Sequence, residues 1–222
     1  MGADGVPGLA QDGDARRVLA DVPAPRDVVA TRRVHEGRVF DLRADEVDLG
    51  PGGTVTREYI DHPGAVAVVA LDDDERVLLL RQYRHPVRRE LWGVPAGLLD
   101  VPGEAAYLGA ARELAEEADL RAERWDVLVD YFTTPGGSNE ALRVFLARGL
   151  SAVPEAERFE REAEELDMEL RWVPLDEAVD AVLAGRVHNP SAVAGVLAAA
   201  ASRAGGWASL RPADAPWPER RG

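Results

Sequence analysis

The chain has 222 residues, 46% of them hydrophobic and 30% charged, with a formal net charge of −14. This is globular composition long enough for a substantial core, and the negative balance works against nucleic acid or an anionic membrane surface as partner. Cysteine is absent, so disulfides and thiolate chemistry are excluded and any metal must be held by oxygen or imidazole. No stretch approaches the roughly 20 apolar residues of a membrane span, and no basic segment leads into an apolar run at the N-terminus, so the expected location is cytoplasmic.

Residues 1–24 mix Gly, Ala, Asp and Pro without periodicity and are expected to form a flexible N-terminal segment. Arg38 to Leu49 alternates apolar and polar, "GPGG" turns the chain, and Val55 to Ile60 returns, which reads as an antiparallel β-hairpin within about 25–62. "AVAVVAL" (65–71) and "RVLLLRQYR" (76–84), separated by the acidic turn Asp72 to Asp74, read as two strands with buried centres. A helix follows in "GLLDVPGEAAYLGAARELAEEADL" (97–120), then strands in "RWDVLVDYFTT" (124–134), "ALRVFLARGL" (141–150) and "MELRWVPL" (168–175). Two Ala-rich helices at about 176–184 and 190–203 close one domain, 25–203, and the Pro-rich remainder, 204–222, reads as a flexible tail. Strands, helix, strands, helices predict an α/β fold with a mixed sheet packed between helices.

The helix in 97–120 carries the chemistry. At about 100° per residue, Tyr107, Ala110, Ala111, Leu114 and Ala118 form one apolar arc, and Glu113, Glu116 and Glu117 fall on a second arc beside it. Glu104 can reach that second face from the N-terminal end. A solvated acidic face is one reading. Against it, these carboxylates lack Lys partners at helical spacing, and Glu116 and Glu117 lie toward the helix end whose dipole disfavours anions. A hard divalent cation offsets both penalties, and oxygen-only ligation suits Mg²⁺ or Mn²⁺.

The same segment resembles the Nudix box, in which Gly, five residues, Glu and seven residues precede Arg-Glu-aliphatic-any-Glu-Glu-any-Gly-aliphatic. The match runs from Glu104 through Arg112, Glu113, Leu114, Glu116, Glu117 and Leu120. It departs twice: Gly97 and Glu104 are separated by six residues, and Asp119 stands where Gly is usual. Neither departure touches a ligand position. The resemblance implies a Nudix-type α/β/α sandwich, preceded here by the N-terminal hairpin, that hydrolyses a nucleoside diphosphate linked to another moiety with divalent cations activating water. It further implies Glu113 and Glu117 as main metal ligands and Glu116 as a member of the cluster. Arg112 would orient the carboxylates, and Glu104 would hold the loop or an outer cation. The carbonyl of Ala96, in "PAG" (95–97), is a further ligand by the same resemblance.

"LWGVPAGLLD" before the box and "YFTTPGGSNE" after it resemble the ADP-ribose pyrophosphatase branch, marked by a Pro some fifteen or sixteen residues past the box; Pro135 follows Asp119 by sixteen. Gly93 stands where many relatives carry Glu. By the same resemblance Arg57 and Arg84 are candidate diphosphate contacts, for which bidentate Arg is suited, and the N-terminal hairpin crosses to a second subunit in a homodimer. The general base is expected in the acidic stretch "EAERFEREAEELDMEL" (155–170), with Glu165 as first choice and Glu164 as second. His62, His85 and His188 lack metal-ligand spacing. Two other readings stay open: hydrolysis of another nucleotide sugar such as GDP-mannose, and a non-catalytic ADP-ribose sensor. The sensor class usually loses box carboxylates and gains a basic winged helix, whereas here every Glu position is filled.

Overall fold

The computed structural model describes residues 19–159 and 168–220 of the chain. In chain order they form β1 (Val28–His35), β2 (Asp41–Asp48), β3 (Thr54–Asp61), β4 (Ala65–Ala70), β5 (Arg76–Arg84), β6 (Arg89–Gly93) and β7 (Ala96–Leu98). Helix α1 (Ala106–Ala118) follows, then β8 (Leu120–Phe132), β9 (Ala141–Ala152), β10 (Glu169–Pro174), α2 (Leu175–Leu183), α3 (Pro190–Ala204) and the short β11 (Arg211–Pro212).

Strand β4 shows how the domain is layered. Its side chains alternate between two apolar layers, Ala65, Ala67 and Val69 on one face and Val66, Val68 and Ala70 on the other. A strand buried on both faces has no polar positions to spare, which is why "AVAVVA" is an unbroken apolar run. It pairs parallel to β9 and antiparallel to β7 in the five-stranded sheet β11-β8-β9-β4-β7. Helix α1 covers one face through Ala110 and Leu114, and α2 and α3 cover the other through Ala178, Ala192, Val196 and Ala199. Strands β10, β5 and β6 make a second sheet, antiparallel throughout. The expected α/β/α sandwich with a mixed sheet is present. Among the described residues no helix is long and apolar enough to cross a membrane.

The N-terminal hairpin is present as β2 and β3, paired from Asp41↔Asp61 to Asp48↔Thr54. A third strand, β1, extends it antiparallel to β2. Every residue of β1 is exposed, so its sequence, VVATRRVH, carries no alternation from which a strand could be read.

The composition of 204–222 marks a loose tail, but its described part packs on the domain. Strand β11 pairs with Val127 and Asp126 of β8, and Ala213, Ala215 and Trp217 pack on the apolar layer beneath α1. The physical reason lies in β9. Arg143 is 2% exposed, on the same face as Phe145, and a buried guanidinium must find partners. It makes a bidentate pair with Asp130 at 2.8 and 2.9 Å and donates to the carbonyls of Ala215 (2.7 Å) and Pro216 (3.1 Å). Its guanidinium lies 4.6 Å from the centre of the Trp217 ring, within cation–π range.

Candidate functional site

Helix α1 begins at Ala105 without a side-chain cap and ends at Asp119, whose φ of 53° and ψ of 35° are left-handed. There its N–H closes on Ala115 and Leu114, and its carbonyl accepts from Val153 at 2.8 Å. Asp therefore takes the terminating conformation that Gly adopts without steric cost. The extra residue of the preceding loop is absorbed by a turn in which the Glu104 N–H donates to the Val101 carbonyl at 3.2 Å, with Gly103 at φ 77°. Both departures from the box are thus accommodated in loop and cap, leaving the helix intact.

The buried face of α1 is wider than the apolar arc. It includes Gly109, Ala110, Leu114 and Ala118, and with them Glu113 and Glu117, at 9% and 6% exposure. Two carboxylates thus lie within the packed layer, and what faces them is backbone. Gly97 in β7 runs so close that a β-carbon there would sit 2.1 Å from the carboxyl carbon of Glu113, so any other residue there would displace that carboxylate from its present place. One residue earlier, the Ala96 N–H donates to Glu117 Oε2 at 2.9 Å. β7 is held in this position by pairing with β4, Ala67↔Ala96 and Val66↔Gly97.

Arg112 gathers the other carboxylates. Its guanidinium contacts Glu113 at 2.6 Å, Glu104 at 3.3 Å and Glu116 at 3.4 Å. The hydrogen bond to Glu104 raises the affinity of Arg112 for its proton, with the surrounding negative charge adding to it against partial burial. For Glu113, burial pushes the carboxyl pKa up, the Arg112 charge opposes that shift, and Glu116 adds to it. A buried carboxylate of this kind gains from any further cation.

The five residues assigned to metal by resemblance, Ala96, Glu104, Glu113, Glu116 and Glu117, are therefore brought together around one helix face and one strand. Among the described residues no three acidic or histidine side chains already converge as a metal cluster. The Arg112 guanidinium bridges Glu104, Glu113 and Glu116, while Glu117 is turned to the Ala96 N–H. The donor set is hard carboxylate oxygen, which fits a divalent cation of the Mg²⁺ or Mn²⁺ type.

Arg57 and Pro135 also come together. They line one open cavity of about 500 Å³ with Phe132 and Asn139. The loop carrying Pro135 is stitched to the end of β3: the Ile60 N–H donates to Gly137 O at 2.9 Å, the His62 N–H to Asn139 Oδ1 at 2.8 Å, and Asn139 Nδ2 to Asp61 at 2.6 Å. On the other side of this stitch, Asp61, His62 and Glu104 line a second cavity of about 800 Å³. Arg84 ends β5 in the other sheet and lines neither cavity. Glu164 and Glu165 lie outside the described residues.

The reading of the sequence missed Asn139 and Asp61 as the clasp between loop and hairpin. The signal available was "SNE" directly after the "PGG" turn, a short polar group able to bond backbone.

Comparisons with known proteins agree with this geometry. Residues 61–193 match the NUDIX domain. The chain is similar to the ADP-ribose pyrophosphatase of Mycobacterium tuberculosis, 48% identical over 196 residues that cover 87% of this chain and 92% of that protein. It is 35% identical to the ADP-ribose pyrophosphatase of Bacillus subtilis over 162 residues, 72% of this chain and 85% of the relative. It is also 33% identical to the methanol dehydrogenase activator of Bacillus methanolicus over 168 residues, 76% and 89% of the two chains. Among solved structures, one described as an ADP compounds hydrolase superposes with a TM-score of 0.70 at 21% identity, covering 84% of this chain and 98% of that one, a likeness of fold. The carboxylate helix, the strand-borne Ala96 and Gly97 set against it, and the sandwich that holds them are those of a Nudix domain, and the chain belongs to the NUDIX domain family.

Proposed function

We propose that the protein hydrolyses the diphosphate bond of ADP-ribose to AMP and ribose 5-phosphate, with Mg²⁺ as the divalent cation and Mn²⁺ able to replace it. The observation that carries this reading is the pair of buried carboxylates, Glu113 and Glu117, set against the backbone of Ala96 and Gly97. Likeness to two ADP-ribose pyrophosphatases supports the choice of substrate. Glu113 and Glu117 hold the cation, with Glu116, Glu104 and the Ala96 carbonyl beside them. Arg112 keeps Glu104, Glu113 and Glu116 in register through its three ion pairs. When bound, the cation supplies Lewis-acid polarisation of the diphosphate and lowers the pKa of the attacking water.

Arg57 lines the cavity that Pro135 borders, and its guanidinium fork suits the diphosphate oxygens. Arg84, at the end of β5, is the second proposed diphosphate contact. The acceptor for the proton of the attacking water is assigned to Glu165, or failing it Glu164. A homodimer is the proposed state: β1 is exposed along its whole length, with Val28 at 52% and Val29 at 64%, and a second copy would cover those apolar side chains.

The test is a panel of nucleotide sugars incubated with Mg²⁺, measuring release of each nucleoside monophosphate and sugar phosphate. ADP-ribose is expected to be turned over fastest, giving AMP and ribose 5-phosphate. Brisk turnover of GDP-mannose with none of ADP-ribose would replace this substrate by the other. Tight ADP-ribose binding with no hydrolysis of any member would establish a sensor.

A further inference from the structure

The segment from Arg211 to Arg220 does more than cover the sheet. Its middle is clamped: Arg143 binds the carbonyls of Ala215 and Pro216 and stacks on Trp217, and Arg211 adds a 2.9 Å contact to the same Asp130 that pairs with Arg143. Four residues of a strap are fixed by one buried cation and its carboxylate. Just past this clamp, two consecutive residues line different cavities. Glu219 lines the cavity that holds Arg57 and Pro135, and Arg220 lines the one that holds Glu104 and His62. The strap therefore ends across the stitch of Asp61, His62 and Asn139 that separates the two.

The chemistry of the first cavity gives Glu219 a task. Phe132 and Pro135 offer flat apolar surface, and Arg57 offers cationic donors. Of the other two carboxylates there, Asp45 already accepts hydrogen bonds from Thr31 and Tyr59, and Glu58, exposed on β3, directly follows Arg57 in the chain. Among the described residues no hydrogen bond or ion pair engages the Glu219 carboxylate, which is exposed at the cavity wall. An ionised carboxylate only accepts. It repels phosphate and selects a neutral group with N–H or O–H to give.

We propose that Glu219, delivered by the Arg143 clamp, is a specificity-determining residue that accepts a hydrogen bond from the nucleoside half of the substrate. The donor is either an exocyclic base amine or a ribose hydroxyl, and Glu219 is the strap's contribution to the lining of that cavity. This rests on the reading of the protein as an ADP-ribose hydrolase with its substrate in the Arg57 and Pro135 cavity.

The experiment compares wild type, Glu219→Gln and Glu219→Ala on three substrates. These are ADP-ribose, IDP-ribose, which carries a carbonyl in place of the base amine, and 2′-deoxy-ADP-ribose, which lacks one hydroxyl. KM and kcat are measured with Mg²⁺, and Kd by calorimetry without metal. The Ala variant should raise KM and Kd for ADP-ribose by about tenfold, the worth of one charge-assisted hydrogen bond, with kcat unchanged. Discrimination against IDP-ribose should collapse in the variants if the base amine is the donor, and discrimination against the deoxy substrate if the hydroxyl is. The Gln variant, which adds an N–H donor at the same place, should improve IDP-ribose relative to wild type in the first case. KM and Kd within twofold of wild type on all three substrates would overturn the proposal while leaving the hydrolase reading intact. Should wild type bind ADP-ribose without cleaving it, the hydrolase reading falls and the metal-free Kd of the Ala variant still decides the role of Glu219. Absence of both binding and turnover in wild type would overturn the two together.

Discussion

Replacing Glu117 by Gln is expected to lower turnover of ADP-ribose by a factor on the order of 10³ while leaving the melting temperature within a few degrees of wild type. This side chain has two separable roles. Structurally, Glu117 is 6% exposed and accepts the Ala96 N–H at 2.9 Å, and the carbonyl oxygen of Gln can accept the same bond in nearly the same volume. Chemically, Gln removes one unit of negative charge from a place where solvent screens little. The charge stabilisation that a divalent cation gives a reacting phosphate amounts to several kcal/mol, and each 1.4 kcal/mol or so is tenfold in rate. Glu116, more exposed and held by Arg112 at 3.4 Å, should show a smaller loss on the same change. Steady-state rates, with circular dichroism melts of each variant, make the comparison. Near-normal turnover in Glu117→Gln would remove it from the ligand set.

The second large effect is on stability. Arg143→Met should cost about 3–5 kcal/mol, the usual penalty for breaking one side of a buried ion pair. For a chain of this size, at about 2–4 °C per kcal/mol, that is a fall in melting temperature on the order of 10 °C. Met approximates the volume of the aliphatic stem, so the loss reports the guanidinium. Asp130 keeps the Arg211 contact at 2.9 Å, but the carbonyls of Ala215 and Pro216 lose their donors unless the strap lifts into water. Lifting would expose Trp217, so its fluorescence should shift toward that of a solvated indole. A thermal melt unchanged from wild type would contradict the clamp.

The architecture was readable where one period dominated. The unbroken apolar run of β4 and the mostly apolar first half of β9 are the marks of strands in a sandwich core, and α1 announced itself by apolar spacing and by a motif with fixed positions. The acidic arc beside the apolar stripe was visible too, but not its depth. Glu113 and Glu117 are inside the packed layer, because β7 crosses so close that their environment is set by Gly97 and Ala96, contacts that helical geometry alone does not contain.

The features that escaped share a different cause. β1 gains its strand character from pairing with β2, and an exposed strand shows no hydrophobic period. The C-terminal strap was hidden because its anchor is a charge. Arg143 looks like any polar residue within a strand, its carboxylate partner is 13 residues away, and the carbonyls it binds are 72 and 73 residues away. Arg57 and Pro135 meet because the loop after β8 is clasped to β3, a junction visible in sequence only as a polar cluster following a turn.

The central claim, that the carboxylates of α1 hold a divalent cation that cleaves a diphosphate, is tested most directly by removing the metal. Wild-type protein dialysed against chelator should leave ADP-ribose intact, and Mg²⁺ added back should restore release of AMP and ribose 5-phosphate in equal amounts. Undiminished cleavage in excess chelator, or the same inert substrate after Mg²⁺ and Mn²⁺ are returned, would contradict it.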